Sequence, residues 1–247
     1  ESSVSPRPQV KYGDVREIES YPDGPGIRTT RRILDGIARD FASWNRDFFR
    51  CTGLLPVAYR ERQIAGGLFK AIQDSGAQAL AEPPVKRKKR GTPEESGWAD
   101  FVAYLGDTML ILEVKHAYCQ LGKYAKTEVG WLSSEWSSAT RKVYSLRRAA
   151  IEDWGDGWHN RFGAVLHLVV LYQRAKGGSH TQPVGRGEIT NYVKSISTRL
   201  FPRPNWIWLW SLNPKLQEAE KDDEKWWKYP AVCFLVHIRR LQEYKGV

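Results

Sequence analysis

The stretch "GWADFVAYLGDTMLILEVKHAY", residues 97–118, constrains this chain more than any other. Residues 98–105 and 108–115 are two apolar, strand-like runs separated only by Gly106-Asp107. A two-residue loop with glycine first predicts a type II′ hairpin, because glycine enters the required positive-φ region without steric cost. Such a loop fixes register. Leu105 faces Thr108, and counting outwards pairs Tyr104 with Met109, Val102 with Ile111 and Asp100 with Glu113. Phe101 with Leu112 and Ala103 with Leu110 occupy the other side. Both faces of the hairpin are apolar, so it needs cover on both sides.

The charges at its open end need an explanation, because charged side chains are rarely buried unless paired or bound to a metal. Directly opposed residues have Cβ atoms roughly 4.5–5.5 Å apart, and like charges so placed are destabilising unless something offsets them. Lys115 lies two residues beyond Glu113 and so points to the same face. Asp100, Glu113 and Lys115 together read as a cation site with an ammonium beside it. Hard oxygen ligands suit Mg²⁺ or Mn²⁺. Such an ion polarises phosphate oxygens and activates water. The lysine would orient that water or neutralise charge growing on the phosphate. The plain alternative is an exposed hairpin end where Lys115 bridges two carboxylates.

The remaining chain alternates helical and strand patterns. Residues 1–27 are polar and rich in Pro and Gly, and read as an arm. From Thr29, Ile33, Leu34, Ile37, Phe41, Trp44 and Phe48 recur at helical spacing, and "TGLLP" ends that helix. A second helix is predicted from about Val57 to Asp74. Gly66 and Gly67 sit inside it, each costing about 1 kcal/mol relative to Ala, which implies close approach of a neighbour or a kink. "AQALAEPPV" reads as a short strand. Ser134 to Trp154 reads as a helix, "FGAVLHLVVLYQ" as a strand buried on both faces, and "GEITNYVKSISTRLFP" as a helix. "NWIWLWSL" and "YPAVCFLVHI" are two further strands. Trp206, Trp208 and Trp210 share one face of the first, as core or interface packing or, less conventionally, for base stacking. The expected fold is α/β, one domain over 28–247, with a mixed central β-sheet flanked by helices on both faces.

"WAD", twelve residues, and then "EVK" resembles the D…ExK core of the PD-(D/E)xK nuclease superfamily, the restriction-endonuclease-like fold. The resemblance covers roughly residues 57–172 in element order and four residues in motif. The residue before Asp100 is Ala99 where the family's name has Pro, a departure the family tolerates. The resemblance implies that Asp100 and Glu113 bind Mg²⁺ or Mn²⁺ with help from the backbone carbonyl of Val114. It makes Lys115 the catalytic lysine. It also gives Glu61, on the preceding helix, an auxiliary role at the metal or the water. Glu61 stands between Arg60 and Arg62, so a plain surface charge is the alternative.

Charge agrees with a nucleic-acid partner. There are 38 Lys and Arg against 28 acids, a net +10, and five of the positive charges form the run Lys86–Arg90. Lys86, Arg87, Lys88, Lys89 and Arg90, with Arg141 and Lys142 on the later helix, are the expected phosphate contacts. A localisation signal or a solvated loop would account for the same run. His116 faces away from Lys115, where packing or a supporting role suits it better than ligation. His159, His167, His180 and His237 have no ligand spacing, and His167 in an apolar strand reads as a satisfied core residue. Cys51, Cys119 and Cys233 fit neither a disulfide framework nor a zinc site, which implies a cytoplasmic setting. No apolar run is long enough to cross a bilayer, so no membrane role is expected.

The expected activity is a metal-dependent nuclease acting on phosphodiester bonds, with DNA as substrate and a homodimer if both strands are cut. The alternatives are a non-catalytic nucleic-acid-binding module on the same fold, and a basic protein–protein adaptor using the tryptophan-rich C-terminal region.

Overall fold

The structure, a computed structural model, describes residues 15–17, 24–59, 61–87, 95–121, 125–146, 159–176, 184–212, 220–222 and 225–241. Lys88, Lys89 and Arg90 lie outside these residues, as does the predicted helical stretch 147–154. The chain is a mixed α/β protein. Its elements are β1 (Val15–Glu17), α1 (Ile27–Thr52), a 3-10 turn (Pro56–Ala58), α2 (Glu61–Asp74), β2 (Gln78–Ala81), β3 (Pro84–Arg87), β4 (Glu95–Trp98), β5 (Phe101–Leu105) and β6 (Thr108–Gln120). Then follow α3 (Ala125–Ser145), β7 (Asn160–Lys176), α4 (Arg186–Ser197), β8 (Trp206–Ser211), β9 (Glu220–Asp222) and β10 (Lys225–Arg240).

The main sheet has the order β1-β8-β10-β7-β6-β5-β2, with β9 beside β10. Among the described residues only β6 and β7 run parallel, joined by α3 as the crossover that parallel neighbours require; the other pairs are antiparallel. β3 and β4 form a separate two-stranded ribbon. The stretch expected to be a polar arm contributes β1 to the sheet edge beside β8.

Alternation along the strands builds two cores. Leu110, Leu112 and Val114 of β6, Trp206, Trp208 and Trp210 of β8, and Phe234 of β10 pack against Ile33, Ile37 and Phe41 of α1 and Leu68 of α2. Ala117, Cys119, Val165, Val169, Ile207 and Cys233 take the other face, under Trp136 and Val143 of α3 and Val193 of α4. Helices thus cover both faces, and the three tryptophans of β8 serve the core. A third cluster, including Val85, Val102, Met109, Ile111 and Leu146, seats the ribbon and the end of α3.

The hairpin register is the one the loop dictates: Phe101 opposite Leu112, Val102 opposite Ile111 and Leu105 opposite Thr108. Gly106 has φ of 60°, the left-handed value that the turn demands. Helix α3 departs from expectation. It starts at Ala125 rather than Ser134, because Leu132 and Trp136 extend its buried stripe back across the serines. Packing of that stripe overrides the preference of serine for helix ends.

The paired glycines of α2 have different reasons. A Cβ on Gly67 would lie 2.3 Å from the Trp44 ring, whereas one on Gly66 meets nothing within 4 Å. The close approach is to a side chain of α1 at Gly67 alone. Gly66→Ala is expected to stabilise the protein by about 1 kcal/mol through helix propensity. Gly67→Ala is expected to destabilise it by about 1–3 kcal/mol through overpacking. Urea unfolding of the two variants measures both.

His167 corrects another expectation. It is fully buried on β7 and stacked on Trp136, with centroids 6.3 Å apart, but neither ring nitrogen has a hydrogen-bond partner among the described residues. Burial, with His116 and Lys115 adding positive charge nearby, pushes its pKa from 6.5 down to about 3. The unfolded chain takes up this proton as pH falls through 6.5, while the folded protein resists until about 3. Stability is therefore full above the upper value and falls by about 1.4 kcal/mol per pH unit within the window. Burial also lowers the pKa of His116 and His237, so they contribute with the same sign. Melting temperature should drop between pH 7 and pH 5, and His167→Phe should make that slope shallower.

Candidate functional site

The site forms where β5 parts from β6. The antiparallel ladder begins at Phe101–Leu112, so β6 continues past Leu112 with β7 on one side and no β5 on the other. Asp100 sits at this fork, just outside β5, with its main chain still bonded on the β2 side: the Glu82 amide donates to the Asp100 carbonyl at 3.0 Å. The direct cross-strand pairing of Asp100 with Glu113 expected from the register does not form. The Asp100 carboxylate turns to β6 instead, and its Oδ2 accepts the Val114 amide at 2.6 Å. Its Oδ1 makes no hydrogen bond among the described residues.

The other side of the fork is tied to the segment before α2. Asn45 of α1 accepts the Val57 amide at 2.8 Å. His116 Nε2 bonds the Val57 carbonyl at 2.9 Å, and the Tyr118 hydroxyl donates to the carbonyls of Ala58 and Tyr59. His116 and Tyr118 lie two apart and so share the face opposite Lys115, consistent with a supporting role for His116. These bonds set the start of α2 beside β6, where Glu61 Oε1 lies 3.6 Å from Lys115 Nζ. Glu61 and Asp100 also line one groove of about 290 Å³, together with Arg62, Phe101 and Val114.

Glu113 is only 2% exposed, and both of its oxygens carry cations. Lys142 Nζ of α3 donates to Oε1, and Arg87 Nη2 of β3 donates to Oε2 at 3.3 Å. Arg87 also donates to the carbonyls of Lys142 at 2.7 Å and Trp98 at 2.9 Å. The guanidinium thereby joins the ribbon, α3 and β6. Two residues expected to touch phosphate are thus bonded to an expected metal ligand. Lys86 and Arg141 are exposed on β3 and α3, and Arg141 Nε donates to the Ser137 carbonyl.

Burial raises the Glu113 pKa above the ordinary carboxylate range, the nearby Asp100 raises it further, and Lys142 and Arg87 pull it back only in part. The oxygen groups at the fork, the Asp100 and Glu113 carboxylates and the Val114 carbonyl, are hard donors, although both Glu113 oxygens now carry cations. That chemistry fits a divalent cation held by Asp100, Glu113 and the Val114 carbonyl. Glu61 reaches this site through Lys115. Among the described residues no three acidic, histidine or cysteine side chains group closely enough to hold a metal, and Glu61 pairs with Lys115 instead. The fourfold cluster of Asp100, Glu113, Lys115 and Glu61 is therefore assembled as two neighbouring parts: an Asp100–Glu113 acid pair, and a Lys115–Glu61 ion pair at its side.

The links from Glu113 to Arg87 and Lys142 span 26 and 29 residues of sequence and carry no local signal. The nearest readable sign of the tether at α2 is a His and a Tyr at period two in β6. Comparisons with protein-family models, curated proteins and solved structures find no match. Among the described residues no helix is long and apolar enough to cross a membrane.

Removing the Asp100 acceptor leaves the Val114 amide unpaired. Asp100→Ala is expected to cost about 1–3 kcal/mol, while Asp100→Asn, which keeps an acceptor oxygen, should cost clearly less. Chemical denaturation of the two variants gives the comparison.

Proposed function

We propose that this chain is a metal-dependent nuclease of the PD-(D/E)xK kind, hydrolysing phosphodiester bonds and acting as a DNA endonuclease. The observation that carries the reading is the pair of carboxylates, Asp100 and buried Glu113, at the fork of β5 and β6 with Lys115 one side chain away. The element order supports it: helix α2, antiparallel strands β2, β5 and β6, crossover helix α3, and β7 parallel to β6. A restriction-endonuclease-like core would have this order, with Asp at the start of its second strand and ExK in its third.

The bound divalent ion would supply Lewis-acid charge neutralisation at the scissile phosphate. The chain's own groups do the rest. Asp100 and Glu113 hold the negative charge that attracts the ion, and the Val114 amide fixes the Asp100 carboxylate in place. Lys115 offers its ammonium to the attacking water or to the phosphate oxygens, where charge grows in the transition state. Glu61 keeps Lys115 directed to that position. Lys86 and Arg141, exposed on β3 and α3, are suited to contact the nucleic-acid backbone.

Asp100→Ala, Glu113→Ala and Lys115→Ala should each lower cleavage by about a hundredfold or more. The assay uses plasmid, linear duplex, single-stranded DNA and RNA with Mg²⁺ and Mn²⁺. Undiminished cleavage in these variants overturns the assignment. The bonding of Glu113 to two cations favours a second reading, a non-catalytic nucleic-acid-binding module on the same fold. That reading requires salt-sensitive binding and no cleavage with either metal.

A further inference from the structure

Glu113 has no free oxygen in this state. Lys142 occupies Oε1 and Arg87 occupies Oε2, so a metal ion approaching this carboxylate meets two positive charges already bonded to it. The two cations differ in access. Arg87 is 12% exposed and held by two main-chain carbonyls besides Glu113, whereas Lys142 is 47% exposed and its ammonium can leave towards solvent. Exposed Lys86 precedes Arg87, and exposed Arg141 precedes Lys142. Two further exposed cations thus stand next to the clamp in sequence, and their charge adds to the field that draws a polyanion to this part of the surface.

Phosphate oxygens offer Lys142 the charged acceptors it now finds on Glu113. An ammonium that moves to phosphate leaves a buried carboxylate short of positive charge beside Asp100, and a divalent cation restores it. Each ligand then favours the other by the same factor, as linkage requires. We infer that Lys142, seated with Arg87 on Glu113, is an electrostatic latch that holds the carboxylate closed to metal until nucleic-acid phosphate draws the lysine away. The inference rests on the nuclease reading and adds its regulation: the site loads metal on its substrate.

The test titrates the full chain with Mn²⁺, following free Mn²⁺ by electron paramagnetic resonance in the absence of nucleic acid. Lys142→Met keeps the aliphatic stem and Arg87 while removing the ammonium, and Lys142→Gln provides a second variant should the first fold poorly. Relative to wild type, either is expected to bind Mn²⁺ at least about tenfold more tightly, a difference of about 1.4 kcal/mol. That gain should vanish when Glu113→Gln is added. In a Lys115→Ala background, a short DNA duplex should tighten Mn²⁺ binding after correction for the duplex alone. Wild type that binds Mn²⁺ as tightly as the Lys142 variants, or a gain that survives Glu113→Gln, overturns the latch and leaves the nuclease reading standing. Absence of Mn²⁺ binding in every variant, with and without duplex, overturns both.

Discussion

The hydrogen bond from the Val114 amide to the Asp100 carboxylate organises this molecule around a fork in its sheet. β5 and β6 pair for five residues and then separate. Parting strands leave unpaired amides on the side from which the neighbour has gone, and a buried unpaired amide is costly. Asp100, the first residue outside the strand, fills that position with a side-chain acceptor. The same bond carries a negative charge to the edge of β6 beside Glu113. A structural need of the backbone and a chemical asset of the site are met by one carboxylate.

The charge balance around the fork follows from burial. Glu113 is inside the protein because β6 is covered there by α3 and the ribbon, and an ionised carboxylate so placed needs cations. Arg87 and Lys142 come from two elements that pack over this end of β6. Their bonds therefore fasten the ribbon and the end of α3 as well as neutralising Glu113. Lys115 has a separate partner in Glu61, because the 3-10 turn before α2 is anchored to His116 and Tyr118 on the same strand. Two ion-pair systems meet at one strand, each held by different helices.

Much of the architecture is legible in the chain. Gly106-Asp107 sets a register that the ladder reproduces from Leu105–Thr108 out to Phe101–Leu112, since a two-residue loop allows no slip without reversing every apolar side chain. The period-two tryptophans of β8 and the stripe of α1 mark buried faces in advance. The start of α3 is misjudged because serine is a weak helix former, and Leu132 and Trp136 share the buried stripe only in the packed fold. His167 looks like an ordinary core histidine, and only its surroundings reveal that neither nitrogen is paired among the described residues.

The sequence alone determined that Asp100, Glu113 and Lys115 would be neighbours, because turn geometry and strand alternation are local rules that act over a few residues. Tertiary structure decided how they are bonded. Asp100 lies outside the β5–β6 ladder while its main chain stays bonded on the β2 side. Glu113 took Lys142 and Arg87 as partners, and Lys115 took Glu61, because packing brought distant helices and the ribbon over one strand. Those pairings depend on which charged side chains share a low-dielectric space, and that property belongs to the assembled fold.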